Sequence, residues 1–153
     1  MMRSRIILLV EDNADDLELT LRAFEKSGIA HEIVVARDGC EALDYLFCEG
    51  AFAGRDPCRA PEVVLLDLNL PRLDGLDVLR RMRADDRTRR IPVVVLTSSR
   101  EEHDVLRSYD LGANSFVRKP VDFSQFLEAA CQLGVYWLGV NVHAPAPASG
   151  SIG

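Results

Sequence analysis

The sequence predicts an α/β fold, in which five parallel strands form one doubly wound sheet between two layers of helices, a three-layer sandwich. Short strand-like runs, four of them largely apolar, alternate five times with longer amphipathic segments along the 153 residues. Apolar runs of this kind indicate strands that are covered on both faces, as in parallel sheets. Right-handed crossovers would then place the helices on both sides of the sheet.

Four strands are predicted at largely apolar runs, and a short fifth one follows them. The runs are Arg5 to Val10, His31 to Ala36, Val63 to Leu66 and Ile91 to Leu96, and the fifth strand is Asn114 to Val117. The third run gives the clearest strand, because its apolar residues are followed at once by Asp67 and then by a turn at Asp74-Gly75.

Helices are predicted in the segments that follow the strands. They run from about Ala14 to Ser27, Cys40 to Cys48, Gly75 to Ala84, Glu101 to Leu111 and Asp122 to Val140. Either Asp12 or Asn13 can cap the first helix, and Gly28 is a typical residue for its end. Glycine, proline and small residues make Glu49 to Ala60 a loop.

One domain is expected over residues 1–140, followed by a disordered tail at 141–153 that is rich in Pro, Ala, Ser and Gly. The net charge of −6 disfavours nucleic-acid binding, which needs a basic face. No apolar run is long enough for a membrane span, and no signal-peptide cleavage site follows the N-terminus. The cysteines lack metal-ligand spacing, so we expect free thiols and a cytoplasmic protein. They are Cys40, Cys48, Cys58 and Cys131.

Polar residues follow four of the predicted strands. These residues are Glu11, Asp12, Asp67, Thr97 and Lys119. Because the carboxyl ends of parallel strands meet at one edge of the sheet, all of them should lie close together. Helix caps and surface groups explain one such residue easily, but five at four strand ends indicate a shared site.

Three clustered carboxylates repel one another, and a hard divalent cation relieves that repulsion. Oxygen ligands without histidine or cysteine suit Mg²⁺. A strand-end carboxylate such as Asp67 can attack phosphorus to form an aspartyl phosphate. Lys119 and Thr97 can then bind oxygens of the transferred group. The sequence has no glycine-rich phosphate-binding loop, so another protein is expected to donate the phosphoryl group.

The segments around these residues resemble response-regulator receiver domains of two-component signalling. The matching segments are LLVEDN, LLDLNLPRLDG, VVVLTSS and FVRKP, and the similarity covers about Arg5 to Gly134. The resemblance implies the flavodoxin-like fold of the CheY-like superfamily and phosphorylation of Asp67 by a sensor histidine kinase. Catalysis would be limited to phosphotransfer onto Asp67 and slow self-dephosphorylation, so the chain would not be an enzyme in the usual sense.

The same resemblance implies the ligands of the metal. Asp12 would bind Mg²⁺ directly, Glu11 through water and Asn69 through its backbone carbonyl, beside Asp67.

Thr97 and Lys119 would contact the phosphoryl group, and the Lys119–Pro120 bond is a candidate for the cis form. Phe116 stands where the family has its switch aromatic, which is more commonly Tyr. Its buried ring could still couple to Thr97, but no hydroxyl contact is available.

The opening LLVEDNADD, the Glu49–Ala60 loop and the terminal YWLG resemble small single-domain regulators that are paired with phytochromes. This finer resemblance implies a light-sensing histidine kinase as partner and no chromophore on the chain itself.

The last predicted helix is apolar on more than the one stripe that packing on a sheet requires. We expect a symmetric homodimer through this helix, together with the preceding one, because aromatic residues are typical interface anchors. The expected interface residues are Phe126, Leu133, Tyr136, Trp137 and Leu138. The alternative is that Tyr136 and Trp137 fold back on their own domain.

Two other classes of protein fit part of the pattern. Haloacid-dehalogenase-like phosphatases also combine a strand-end Asp with Mg²⁺ and Lys. They need a second acid where this chain has Asn69, and a cap domain for which the length leaves no room. A receiver-like interaction module that is not phosphorylated would not need all five site residues. A DNA-binding regulator is not expected, because only a short tail follows the domain.

Overall fold

The computed structural model describes residues 5–26, 28, 31–57 and 59–145. Within them, strands and helices alternate in the predicted order. The strands are β1 (Arg5–Val10), β2 (His31–Ala36), β3 (Val63–Leu66), β4 (Val93–Thr97) and β5 (Ser115–Arg118). The helices are α1 (Ala14–Lys26), α2 (Gly39–Leu46), α3 (Gly75–Arg83), α4 (Glu102–Asp110) and α5 (Phe123–Val135). A 3₁₀ turn (Gly50–Phe52) lies in the α2–β3 loop, and a π-helical turn (Tyr136–Val140) continues α5.

The described strands form one parallel sheet in the order β2-β1-β3-β4-β5. The strand that follows β1 in the chain lies on one side of it, whereas β3, β4 and β5 lie on the other. The strand order therefore reverses between β1 and β3, and open α/β sheets bind their ligands at such a point. In register, Val10 lies opposite Leu66, which in turn lies opposite Val95. The predicted doubly wound sheet is therefore confirmed, and the residues after these strands lie side by side.

Alternate residues of β1 point to opposite faces of the sheet, as the two-residue period of a strand requires. Ile6 and Leu8 belong to a buried cluster that includes side chains of α2 and α3. Ile7 and Leu9 belong to another, which includes Phe24 of α1 and extends to the end of the chain's last helix. Both faces of the sheet are thus covered by helices, which explains the continuous apolar runs of the sequence.

Side-chain caps determine where α1 and α2 begin. Asn13, and not Asp12, caps α1, since its Oδ1 accepts the N–H of Asp16 at 3.0 Å. Asp38 caps α2 one residue earlier than predicted by accepting the N–H of Glu41 at 2.8 Å. Helix α1 ends at Lys26, and the predicted end at Ser27 lies outside the described residues.

Strand β4 begins later than predicted, at Val93 rather than Ile91. Pro92 has no N–H to contribute to a ladder. The N–H of Val93 is taken by the side-chain oxygen of Asn114 at 2.8 Å, so the strand is anchored at this point. The strand also continues to Thr97, one residue beyond the predicted end.

The end of α5 corrects part of the expected dimer interface. Phe126 is 4% exposed and Leu138 is 0% exposed, because both lie in the chain's own core. The π-helical turn directs Leu138 inward, and the Arg5 guanidinium donates to its carbonyl oxygen. Leu133 and Trp137 pack partly against the same cluster as Leu138. Of the five expected interface residues, only Tyr136 belongs to the exposed class of the described residues.

The sequence also predicts free cysteines, a disordered tail and no membrane-spanning segment. Cys40, Cys48 and Cys131 are free thiols as expected, whereas Cys58 lies outside the described residues. Residues 141–145 have no regular secondary structure, and the rest of the expected tail is not described. Across the described ranges, no helix is both long enough and apolar enough to cross a membrane.

Candidate functional site

The ladders of the sheet continue past the strand ends into the polar residues that follow them. The N–H groups of Glu11 and Asp67 donate to carbonyl oxygens of β2 and β1 at 3.0 and 3.1 Å. The N–H of Lys119 likewise donates to the carbonyl oxygen of Thr97 at 2.8 Å. These bonds fix the four residues at one edge of the sheet, which is why the order of strands was enough to bring them together.

A buried ammonium stands at the centre of this edge. Lys119 Nζ is 2.5 Å from Glu11 Oε1 and 3.1 Å from Asp67 Oδ2. Only 6%, 3% and 7% of Lys119, Glu11 and Asp67 are exposed. Burying an unpaired charge costs much free energy, so the lysine can be buried only because these carboxylates pair with it.

A third carboxylate, which the sequence analysis did not assign to the site, also contacts the ammonium. Asp16 Oδ2 is 2.8 Å from Lys119 Nζ. Asp16 lies in the first turn of α1, and the only sequence signal for it is its position one helical turn after Asp12. The contact joins residues 103 positions apart, so no local pattern reveals it.

The acidic residues of the site also form a group that fits a metal ion. Glu11, Asp12 and Asp67 each offer one carboxylate oxygen, and these oxygens lie within 4.8 Å of one another. Asp12 is exposed, whereas the other two are buried, so the group opens to solvent on one side. An all-oxygen donor set that is open to water suits Mg²⁺ or Mn²⁺.

The two buried charges next to Asp67 have shifted pKa values. Burial raises the pKa of Glu11 to about 7, and the charge of Asp67 adds to this, although Lys119 acts in the opposite direction. Burial alone would lower the pKa of Lys119, but the carboxylates of Asp16, Glu11 and Asp67 outweigh burial and raise it above its ordinary value. The ammonium therefore stays charged, and the site has a fixed cation.

The loop after β3 determines the orientation of Asp67. The N–H of Asn69 donates to Asp67 Oδ1 at 3.2 Å, so each carboxylate oxygen has a donor. The N–H of Gly75 donates to the carbonyl oxygen of Leu68 at 3.0 Å, which brings the start of α3 close to the loop. Asp74 caps this helix through the N–H of Asp77 at 3.0 Å. A helix start thus supports the backbone of Asp67.

The remaining predicted residues lie on β4 and β5. Thr97 is fully buried, and its hydroxyl oxygen accepts the N–H of Ser99 at 3.3 Å. Phe116 is half-buried against the core cluster on the α2–α3 side, and its coupling to Thr97 stays a prediction. The Lys119–Pro120 bond is trans, so the candidate cis bond is wrong. X–Pro bonds favour the trans form by about 0.5–1 kcal/mol.

The sequence is similar to a known protein family and to named regulatory proteins. The family of response regulator receiver domains matches residues 7–131. "Probable methanogenesis regulatory protein FilR2" of Methanothrix harundinacea is 45% identical over 144 residues, which cover 94% of this chain and 89% of the relative. "Response regulator Rcp1" of Synechocystis sp. is 37% identical over 134 residues, which cover 88% of this chain and 89% of the relative.

Solved structures are similar over almost the whole chain. The phosphorylated cyanobacterial phytochrome response regulator RcpA superposes with a TM-score of 0.86 at 40% identity, covering 92% of this chain and 99% of that one. The Mn²⁺-bound form of Rcp1 gives a TM-score of 0.86 at 35% identity with the same coverage. The five-stranded parallel sheet and its helices are thus the CheY-like, flavodoxin-like fold.

Proposed function

This chain belongs to the response-regulator receiver-domain family, and we propose that it accepts a phosphoryl group on Asp67 from a sensor histidine kinase and thereby switches an interaction surface. The observation that carries the proposal is the buried Lys119 ammonium between the carboxylates of Glu11 and Asp67. Receiver domains are signalling modules of two-component systems, and a fixed cation beside a strand-end carboxylate is what binding of a phosphoryl group requires.

Asp67 is the proposed nucleophile. One of its oxygens would form a bond to phosphorus while the bond from phosphorus to the kinase histidine breaks, and the imidazole leaves with that electron pair. The N–H of Asn69 and the ammonium of Lys119 hold the carboxylate in one orientation at 3.2 and 3.1 Å. The Lys119 charge would stabilise the transferred oxygens, and the Thr97 hydroxyl would donate to one of them.

Glu11, Asp12 and Asp67, with the backbone carbonyl of Asn69, are the residues that we propose to hold Mg²⁺. The spacing of the three carboxylate oxygens, within 4.8 Å, supports this assignment, and so does the Mn²⁺-bound form of the relative Rcp1. A bound Mg²⁺ supplies positive charge that offsets the negative charge of the phosphoryl oxygens.

The partner that we propose is a phytochrome-type histidine kinase in the cytoplasm. Support comes from RcpA, a cyanobacterial phytochrome response regulator with 40% identity over 92% of this chain. The free thiols of Cys40, Cys48 and Cys131 fit a reducing compartment.

We also propose a symmetric homodimer through the end of α5. Val135, Tyr136 and Val140 stay 44%, 47% and 63% exposed in this region, although they are large and apolar. On α4, Leu106 and Tyr109 are 65% and 50% exposed, which supports a contribution of this helix. Clustered apolar side chains with an aromatic ring are typical of interfaces. Phosphorylation of Asp67 would bias the packing near Phe116 and thereby the interface.

Incubation with Mg²⁺ and acetyl phosphate, followed by the mass of the intact chain, tests the phosphoacceptor. We expect one added phosphoryl group on the wild type and on Asp110→Asn, which removes an exposed carboxylate from the end of α4. We expect none on Asp67→Asn or without Mg²⁺. A folded, Mg²⁺-loaded chain that gains no mass would be an interaction module that is not phosphorylated. Steady turnover of the donor would instead indicate a phosphatase.

Sedimentation velocity tests the dimer. We expect the wild type to sediment as a dimer and Tyr136→Asp as a monomer. Val142→Asp, which alters a side chain that is 91% exposed beyond the helix, should sediment like the wild type. A wild type that sediments as a monomer, with and without phosphorylation, would refute the interface.

A further inference from the structure

Among the described residues, Asp16 is the one carboxylate partner of Lys119 that lies on a helix rather than at a strand end. Its Oδ2 accepts an N–H of Lys119 at 2.8 Å. We propose that Asp16 is a positioning residue that holds the Lys119 ammonium towards α1 and thereby restrains phosphoryl transfer to Asp67. The inference rests on the proposed function and deepens it, since it names a residue that sets the rate at the same site.

The geometry shows how the ammonium is shared. An ammonium has three N–H groups, and Lys119 Nζ has three carboxylate contacts in the described part of the chain. They are 2.5 Å to Glu11, 2.8 Å to Asp16 and 3.1 Å to Asp67. Asp67 has the longest of the three, so the ammonium lies closer to Glu11 and Asp16 than to the acceptor.

Asp16 is itself held firmly. Its N–H donates to Asn13 Oδ1 at 3.0 Å, and its carbonyl oxygen accepts the hydroxyl of Thr20 at 2.8 Å. The positive end of the helix dipole favours a carboxylate in the first turn. The N–H of Asn13 also donates to Glu11 Oε2 at 3.2 Å, so the cap of α1 orients two of the three carboxylates around Lys119.

Asp16 stands apart from the group of acids that fits a metal. That group consists of Glu11, Asp12 and Asp67. A divalent cation would therefore compete with Lys119 for Glu11 and Asp67 but not for Asp16. The contact between Asp16 and Lys119 would therefore persist when the metal is bound. For this reason Asp16 can set the position of the ammonium in both states.

The charge of Asp16 has a direct consequence for an anionic donor. It adds a negative charge near the place where phosphoryl oxygens must bind, and it occupies one N–H of the lysine. Asp16→Asn keeps an oxygen at this position but removes the charge. Phosphorylation of Asp67 should then be about three- to tenfold faster, because one unit charge a few ångströms from a partly solvated site has an effect of this size.

The experiment measures labelling by acetyl phosphate at Mg²⁺ concentrations that saturate each variant. Asp16→Asn should be faster than the wild type, and Asp16→Glu, which keeps the charge, should be close to it. Asp15→Asn is the matched control, because it removes the same charge from an exposed neighbour in the same turn. Asp16→Ser is a second neutral variant in case the amide variant unfolds. Neutral variants that are no faster than the wild type, or an Asp16→Glu variant as fast as they are, would overturn the restraint.

A second readout does not depend on phosphorylation. In metal-free, ¹⁵N-labelled protein, we expect the ammonium protons of Lys119 to exchange slowly, because Nζ has three carboxylate contacts. Asp16→Asn should shorten their lifetime and shift the ¹⁵Nζ resonance, whereas Asp15→Asn should do neither. Unchanged signals in Asp16→Asn would refute the positioning role. If the wild type takes no phosphoryl group at all, the proposed function fails, while this spectrum still decides the role of Asp16.

Discussion

A β-carbon on Gly75 would lie 2.3 Å from the carbonyl oxygen of Asp67. The first residue of α3 therefore packs directly on the backbone of the proposed phosphoacceptor, with no space for a side chain. This close approach explains why a glycine follows the helix cap Asp74, and it ties the position of Asp67 to the start of a helix.

Gly75→Ala is expected to destabilise the fold by about 1–3 kcal/mol, because backbone atoms have to shift to admit the methyl group. It should also slow phosphorylation of Asp67, whose carbonyl has to move. Urea unfolding and labelling by acetyl phosphate measure the two effects. Gly54→Ala is the control, since a β-carbon there meets no atom within 4 Å. Equal stabilities for the two variants would contradict the close approach.

Leu138→Ala is expected to reduce the free energy of unfolding by about 2–5 kcal/mol, the usual cost of a cavity in a core. The side chain is 0% exposed and belongs to the cluster that contains Ile7 and Phe24. Val142→Ala, at a position that is 91% exposed and outside the proposed interface, should change it by less than about 0.5 kcal/mol. Chemical denaturation compares them, and a small effect at Leu138 would show that the π-helical turn does not close the core.

Tyr45 should make stability depend on alkaline pH. Burial raises the pKa of its phenol above the ordinary value of 10.0, although Arg55 lowers it. As the pH rises, the unfolded chain loses this proton before the folded one does, so the free energy of unfolding falls. Tyr45→Phe should therefore lose less stability than the wild type between about pH 9 and pH 11. Identical curves for Tyr45→Phe and the wild type would contradict the assignment.

Arg83 should contribute more to stability than its position at a helix end suggests. Its guanidinium donates to the carbonyl oxygens of Gly112 and Ile91 and to Asn114 Oδ1 at 2.9, 2.8 and 3.0 Å. Arg83→Met would leave carbonyl groups without these donors and should cost about 1–3 kcal/mol. Arg81→Met, on the exposed side of the same helix, should have little effect. Thermal unfolding of the two variants measures the difference.

The strands were largely predictable from sequence, and the exceptions have physical causes. The observed bounds of β1, β2 and β3 equal the predicted ones, because each predicted run is the stretch that pairs with a neighbouring strand. Strand β4 starts two residues late since Pro92 cannot donate to a ladder and Asn114 takes the first N–H. That hydrogen bond joins positions 21 residues apart, which no local pattern reveals.

The candidate site was predictable where its residues directly follow strands. Glu11, Asp67 and Lys119 meet because the strand order brings their backbones to one edge. Asp16 was missed, because a carboxylate in the first turn of a helix is explained equally well by the helix dipole. Phe126 and Leu138 were misplaced at an interface, because an apolar helix end that folds inward has the same composition as one that binds a partner.

The burial of Leu138 has a consequence for synthesis of the chain. Leu138 covers the same face of the sheet as Ile7 and Leu9, and its carbonyl receives the guanidinium of Arg5. A ribosome that makes the chain from its N-terminus must therefore release Leu138 before this aliphatic face of β1 is covered. Until then the nascent chain exposes part of this apolar face, and exposed apolar surface of this kind makes folding intermediates prone to aggregate.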